Sequence, residues 1–238
     1  MSRLGAGILA GGGVPGNDSF TKILLHMDGA NGGTSFPDVN ASATGATWTP
    51  TGSCTTTTSA FKFGTASYQG AASSYIRSNV GSPYNPGSGD FSVDFWLKST
   101  NSGTQNIIAL EGTNNGPGGA STGWNIFQSG GFLRFGCISS GVVGSTALAS
   151  SSGLFDGNWH HIECTRSGNT LILFFDGTSV NTASFSSAVA FGTFSVTVGG
   201  SINGGATPQF NGNLDEVRYS VGIARHAANF TPPTGPYN

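Results

Sequence analysis

The groups in this chain best suited to proton transfer or metal binding are eleven acidic side chains and four histidines. A retaining glycosidase needs two carboxyl groups about 5–5.5 Å apart across the scissile bond. The same-strand carboxylates at even spacing are Asp90 and Asp94, which an extended strand holds roughly 13 Å apart. His160 and His161 are adjacent on a strand pattern, so their rings point to opposite faces and cannot share one metal ion. No Gly-x-Ser-x-Gly elbow precedes a helix, and no Gly-x-x-x-x-Gly-Lys-Ser/Thr loop is present, which removes the usual serine-nucleophile and phosphate-cradle readings. The polar stretch Asn114-Asn115-Gly116-Pro117-Gly118-Gly119, running on to Trp124-Asn125, has a different chemistry. Its amides could hydrogen-bond sugar hydroxyls while an indole face stacks on a pyranose ring. The competing reading is a surface loop from which Trp124 returns to the core.

The elements that must position these groups are strands. Charged residues make up 8% of the 238, against about 25% in an average soluble domain. Glycine supplies 39 residues, more than twice the average share of about 7%. Long helices and coiled coils lack their building blocks here. Nine basic residues against eleven acidic ones give no electrostatic footprint for nucleic acid. With 17 Phe and 4 Trp, the chain is too rich in core residues for a disordered tail. Short alternating runs recur between turn signals from residue 20 to about 220, the pattern of a sandwich. The clearest is Asp90–Lys98, with Phe91, Val93, Phe95 and Leu97 on one face and Ser92, Asp94, Trp96 and Lys98 on the other. Asp176-Gly177 and Gly130-Gly131 read as hairpin turns. Phe91, Phe95, Trp159, Leu171, Leu173 and Val217 are the expected inward residues. A short strand is expected at Thr44–Thr49, and a helical turn at Ile223–Asn229 before Pro232-Pro233. Thirteen or so strands in one unit suit a two-sheet antiparallel jelly-roll β-sandwich better than a seven-stranded immunoglobulin domain.

Residues 1–19 read as a separate glycine-rich arm ahead of a single domain over 20–238. The apolar run Leu4–Ala10 is short and interrupted by glycine, unlike the core of a signal peptide. Nothing approaches the roughly 20 apolar residues of a membrane span. Such an arm gains little by packing on its own domain, because fixing each residue costs roughly 1–2 kcal/mol of backbone entropy. Leu4, Ile8, Leu9 and Val14 are its anchors, and docking on another subunit is the expectation. Three cysteines at wide spacing, Cys54, Cys137 and Cys164, make no disulfide framework and no thiolate zinc site. They read as small strand hydrophobes, with a Cys137–Cys164 bridge as the alternative.

Three segments in order carry a resemblance. They are Phe91-Ser-Val-Asp-Phe-Trp-Leu-Lys98, then Asp156-Gly-Asn-Trp-His-His-Ile-Glu-Cys-Thr-Arg166 with Asn169-Thr-Leu-Ile-Leu-Phe-Phe-Asp-Gly177, then Gly212-Asn-Leu-Asp-Glu-Val-Arg218 with Asn229-Phe-Thr-Pro-Pro233. Together with Leu24-Leu-His-Met-Asp28 they resemble the concanavalin A-like, laminin-G jelly-roll family over residues 20–234. The resemblance implies the jelly-roll fold and members that bind glycans, bind proteins or build scaffolds. Glycosidases of the fold carry Glu-x-Asp-x-(x)-Glu on one strand, which this sequence lacks. The resemblance also implies that the first and last strands pair, bringing Asp28, Asp215 and Glu216 together. Such a set would hold a structural calcium ion or form an acid network with Arg218 or Arg225. No other cofactor is implied. The reading that results is a non-enzymatic virion protein, such as a bacteriophage decoration, fibre or tail component. It would dock as an oligomeric subunit through its arm and contact host glycans through Asn114, Asn115, Trp124 and Asn125. The alternative is a secreted or surface bacterial carbohydrate-binding module.

Overall fold

The computed structural model describes residues 16–71, 73–112, 123–139, 142–148, 154–189, 194–202 and 208–238. Strands β1 to β5 are Thr21–Leu25, Trp48–Thr51, Thr55–Thr57, Ser67–Gln69 and Tyr75–Ser78. Strands β6 to β10 are Phe91–Lys98, Gln105–Gly112, Gly123–Ser129, Phe132–Ser139 and Val142–Leu148. Strands β11 to β15 are His160–Ser167, Thr170–Phe175, Thr178–Ser184, Phe194–Val198 and Asn213–Val221. They form two antiparallel sheets. The first runs β13-β12-β11-β6-β15-β4-β3, with β1 also paired to β15, and the second runs β10-β9-β8-β7-β14-β5-β2. This is the jelly-roll sandwich that the alternation and turn signals lead to.

The core lies between the sheets. From the first sheet, Phe91, Val93, Phe95 and Leu97 of β6, Ile162 and Cys164 of β11, and Leu171 and Leu173 of β12 point inward. They meet Trp124 and Ile126 of β8, Leu133, Phe135 and Cys137 of β9, and Val196 and Val198 of β14. Period-two alternation produces this directly, since successive side chains of a strand leave by opposite faces. The Asp176-Gly177 turn joins β12 to β13 with φ of 46° and 76°, the left-handed pair that a tight hairpin of this type requires. The three cysteines are buried and unbridged.

Strand β15 departs from simple alternation. Leu214, Val217 and Tyr219 all face the core, which two-residue spacing cannot achieve across 214–217. The register against β6 shifts between Asp215↔Trp96 and Arg218↔Asp94. Glu216 takes a positive φ of 49° there. One extra residue on β15 therefore forms a bulge. It keeps Leu214 and Val217 on the inner face and turns Arg218 outward over Asp94.

Three expectations are corrected. Residues 41–44 form a one-turn helix, α1 (Ala41–Thr44), and the neighbouring strand begins later, at Trp48. Residues 223–229 form no helix; the backbone N–H groups of Arg225 and His226 go to Ser92 and Glu163 of the sheet instead. Trp159 precedes β11 and is half-buried rather than inward-facing. The strand phase puts Ile162, not Trp159, into the core. Among the described residues, no helix is long and apolar enough to cross a membrane.

The packing separates two substitutions that look alike in sequence. Phe95→Ala should cost about 3–5 kcal/mol. Trp159→Ala should cost less than about half of that, because Trp159 is only partly buried and stands outside the core cluster. Urea unfolding of the two variants beside the parent measures both. Equal losses would contradict the strand phase described here.

Candidate functional site

The outer face of the first sheet is also buried. Ser92 and Asp94 of β6 are fully covered and Trp96 nearly so. Residues 223–238 lie across Ser92 and Asp94 as a strap, and Lys62 and Phe63 lie against Trp96. Arg225 N–H donates to Ser92 Oγ at 2.8 Å. The ring Nδ1 of His226 lies 2.7 Å from Glu163 Oε2, and that ring stacks on Phe230 at 3.6 Å. Phe230 N–H donates to the Gly177 carbonyl at 2.9 Å. A side chain at Gly177 would strike the Phe230 backbone, so glycine here serves both the turn and the strap's approach. Tyr237 N–H donates to Glu216 Oε2 at 2.9 Å, and its hydroxyl donates to Asp94. A second cover, residues 60–66, is held by Asp215, which accepts from Lys62 N–H at 2.6 Å and Phe63 N–H at 3.1 Å.

Under the strap, Arg218 donates to both oxygens of Asp94, through Nε at 2.9 Å and Nη2 at 3.2 Å. Its third arm donates to the Gly16 carbonyl at 3.0 Å, and its guanidinium carbon lies 3.8 Å from the centre of the Tyr237 ring. Burial by itself would raise the Asp94 carboxyl. The Arg218 charge, with His161 beside it, carries it well below the ordinary carboxylate range instead.

All eleven acids are engaged within the protein. Asp18 pairs with Arg225, Asp28 takes Thr65 and Ala66, and Asp38 takes Leu24 N–H and Trp48. Asp90 accepts from Gly168 N–H, Glu111 from Ile202 N–H, and Asp156 from Asn158 N–H. Glu163 faces His226, Asp176 accepts from His161 N–H, and Glu216 faces His26. With Asp94 on Arg218 and Asp215 on the 60–66 segment, the set is complete.

The anticipated sites can now be placed. Strands β1 and β15 do pair, yet Asp28, Asp215 and Glu216 accept hydrogen bonds from separate backbone N–H groups. Donors aimed at these oxygens occupy the positions a cation would need. Burial, with Glu216 adding to it, pushes the Asp215 carboxyl up to about 8, which further weakens it as a ligand at neutral pH. The three do not suit calcium. Among the described residues, no group of three or more His, Cys, Asp or Glu side chains could hold a metal ion. The two arginines expected to answer Asp215 and Glu216 instead serve Asp94 and Asp18, because the bulge re-aims Arg218. Trp124 lies in the core, 1% exposed, its ring stacked near Phe91. It offers no face to a sugar. Asn125 is half-buried on β8. Asn114 and Asn115 lie outside the described residues, as do Leu4, Ile8, Leu9 and Val14. Gly16, Asn17 and Asp18, which the sequence places in the arm, are bonded to the body through Arg218, Asn238 and Arg225.

An open cleft of about 280 Å³ was not anticipated. It sits where β6 runs out into the 99–104 loop and where β15 begins. Gln69, Lys98, Ser99, Thr100, Asn101, Asn211 and Asn213 line it, with Gly70, Gly157 and Gly212. A Cβ at Gly212 would lie 2.6 Å from the Lys98 carbonyl oxygen and 2.7 Å from the Phe210 ring, so only glycine permits this wall. The lining presents amides, hydroxyls and one ammonium group.

The sequence profile of the concanavalin A-like lectin/glucanases superfamily matches residues 69–222. This chain belongs to that superfamily. No curated protein sequence matches it. Solved structures of similar fold include the receptor binding domain of botulinum neurotoxin D, at 14% identity and a TM-score of 0.61, covering 86% of this chain and 50% of that one. The binding domain of botulinum neurotoxin DC in complex with SialylT shares 12% identity at 0.61, covering 86% and 49%. The serotype D ligand binding domain in complex with N-acetylneuraminic acid shares 12% at 0.60, covering 86% and 48%. At these identities the likeness is one of fold. The chain spans about half the length of the structures it matches. For this superfamily member, the lectin-type sandwich is present, while no pair of acids stands free for glycosidic chemistry.

The buried pair sets an acid response. Asp94 has a lower pKa folded than unfolded, so its stabilising contribution is complete above the unfolded value of about 3.9. It is lost as pH falls from there through the folded value. Asp94→Asn, which leaves the Arg218 charge unanswered, should lose about 3–5 kcal/mol at pH 7. The variant should also show a shallower fall in stability below about pH 4 than the parent. Chemical unfolding at a series of pH values measures both. Parallel pH profiles would contradict the assignment.

Proposed function

We propose that this chain is a non-enzymatic carbohydrate-binding module that works outside the cell or at a cell surface. The amide-lined cleft carries this reading. Gln69, Asn101, Asn211 and Asn213 line it with amides of the kind that read sugar hydroxyls, and those of Gln69 and Asn211 keep both donor and acceptor uncommitted. No carboxylate lines the cleft among the described residues, so it has binding groups without an acid and nucleophile. Membership of a lectin and glucanase superfamily agrees with a sugar ligand. Two of the similar structures hold SialylT and N-acetylneuraminic acid. They support the reading by analogy of fold, since a fold alone does not fix a function.

A second reading keeps the sandwich as an oligomeric subunit of a larger assembly such as a bacteriophage virion, docked through the arm and its anchors Leu4, Ile8, Leu9 and Val14. The tethering of residues 16 and 17 favours it. Gly16 is tied to Arg218, and Asn17 N–H donates to the Asn238 carbonyl at 3.2 Å. Residues 16 and 17 are thereby held on the body beside the C-terminal residue. Deleting residues 1–15 should leave the melting temperature unchanged and abolish self-association seen by light scattering. Unaltered association would remove this reading.

The main reading is tested by a glycan array probed with the purified chain, followed by incubation with every glycan that binds. Saturable binding without release of reducing sugar is expected. An array with no binder would overturn the carbohydrate reading. Turnover of a bound glycan would overturn its non-enzymatic part.

A further inference from the structure

We propose that the cleft takes an acidic saccharide, with Lys98 reading a carboxylate or sulfate and the surrounding amides reading ring hydroxyls. This rests on the carbohydrate reading and adds the charge of the ligand. Lys98 ends β6 and is half-buried. Its ammonium group makes no hydrogen bond or ion pair among the described residues. Most other cations of the body are occupied. Lys22 donates to the Ser19 carbonyl, Lys62 lies over Trp96, and Arg134 donates to the Ser129 carbonyl. Arg166 donates to the Gly168 carbonyl, Arg218 is bound to Asp94, and Arg225 to Asp18. Arg77 is also unengaged, but it lies on β5 of the opposite sheet and is not part of the cleft wall. Since all eleven acids are already bonded elsewhere, Lys98 has no counterion within the body. A cation held in a concave site without a partner favours an anion from outside.

The rest of the wall has the complementary arrangement. Gln69, Thr100 and Asn211 are exposed at the rim with unengaged side chains. Asn101 and Asn213 are already oriented. Asn101 Nδ2 donates to Gln105 Oε1 at 3.2 Å, and its Oδ1 accepts from Gly103 N–H at 2.9 Å. Asn213 Nδ2 donates to Ser67 Oγ at 3.2 Å and to the Tyr68 carbonyl at 3.3 Å, which leaves its carbonyl oxygen as the uncommitted acceptor. Pre-oriented groups lose less freedom on binding. With no aromatic residue in the described lining, recognition relies on hydrogen bonds and charge, and salt should weaken it.

The experiment is calorimetric titration of the full chain with three tetrasaccharides: hyaluronan, which carries carboxylates; keratan sulfate, which carries sulfates; and chitotetraose, which is neutral. At least one acidic probe should bind tenfold or more tightly than chitotetraose, and the stronger of the two identifies the anionic group. Lys98→Ala should erase that preference, and Lys98→Arg should retain most of it. Thr100→Trp, at an exposed position, should block every probe that uses the cleft while the circular dichroism stays that of the parent. Equal affinity for chitotetraose, an acidic preference that survives Lys98→Ala, or no binding of any of the three would overturn the inference. Glycan binding that persists on the array in Lys98→Ala would leave the carbohydrate reading standing without it.

Discussion

The structure turns on one buried ion pair, Asp94 with Arg218, and on the single extra residue in β15 that brings the two together. A buried pair is weak as a source of stability, because desolvation consumes most of the attraction. Removing either partner is costly for the same reason. Here the pair also has other partners. Tyr237 donates its hydroxyl to Asp94, and Arg218 reaches the Gly16 carbonyl. The segment before β1, the C-terminal strap and the central strand therefore meet at one charge. The bulge at Glu216 makes this compatible with the core, since Leu214 and Val217 stay inward while Arg218 turns out.

That constraint decides which polar groups remain for a ligand. The strap and the 60–66 cover consume Glu163, Glu216, Asp215 and Asp94, and with them the acids that sugar chemistry or a cation would have used. Lys98, Gln69, Thr100 and Asn211, whose side chains are unengaged, meet at the end of the same sheet, where Gly212 helps to wall a cleft. All eleven acids serve the sandwich's own architecture, while the cleft keeps Lys98 and the amides of Gln69 and Asn211 uncommitted.

Much of the fold was legible. The alternation in Phe91–Lys98 and the Asp176-Gly177 turn follow from side-chain period and backbone sterics alone. The bulge was written in Leu214-Asp-Glu-Val-Arg-Tyr219 as apolar positions at 214, 217 and 219, though strict alternation does not expect it. Coverage of the outer face was not legible. Alternation shows that Asp94 and Trp96 share a face, but the strap over Asp94 and the 60–66 segment over Trp96 have no periodicity of their own. The cleft was hidden for a related reason. Lys98-Ser-Thr-Asn101 and Asn211-Gly-Asn213 each read as an ordinary strand-end turn, and only the pairing of β6 with β15 and of β15 with β4 brings them beside Gln69. Trp124 misled in the opposite direction, because an aromatic after a polar loop serves a sugar site and a core equally well by type.

The most direct test of this account is native-state hydrogen exchange on Arg218→Met compared with the parent. If the ion pair anchors the strap, the amides of Arg225, His226, Phe230 and Tyr237 should lose protection together, while those of β8 and β9 in the opposite sheet keep theirs. Unchanged protection of these four amides in the variant would contradict it.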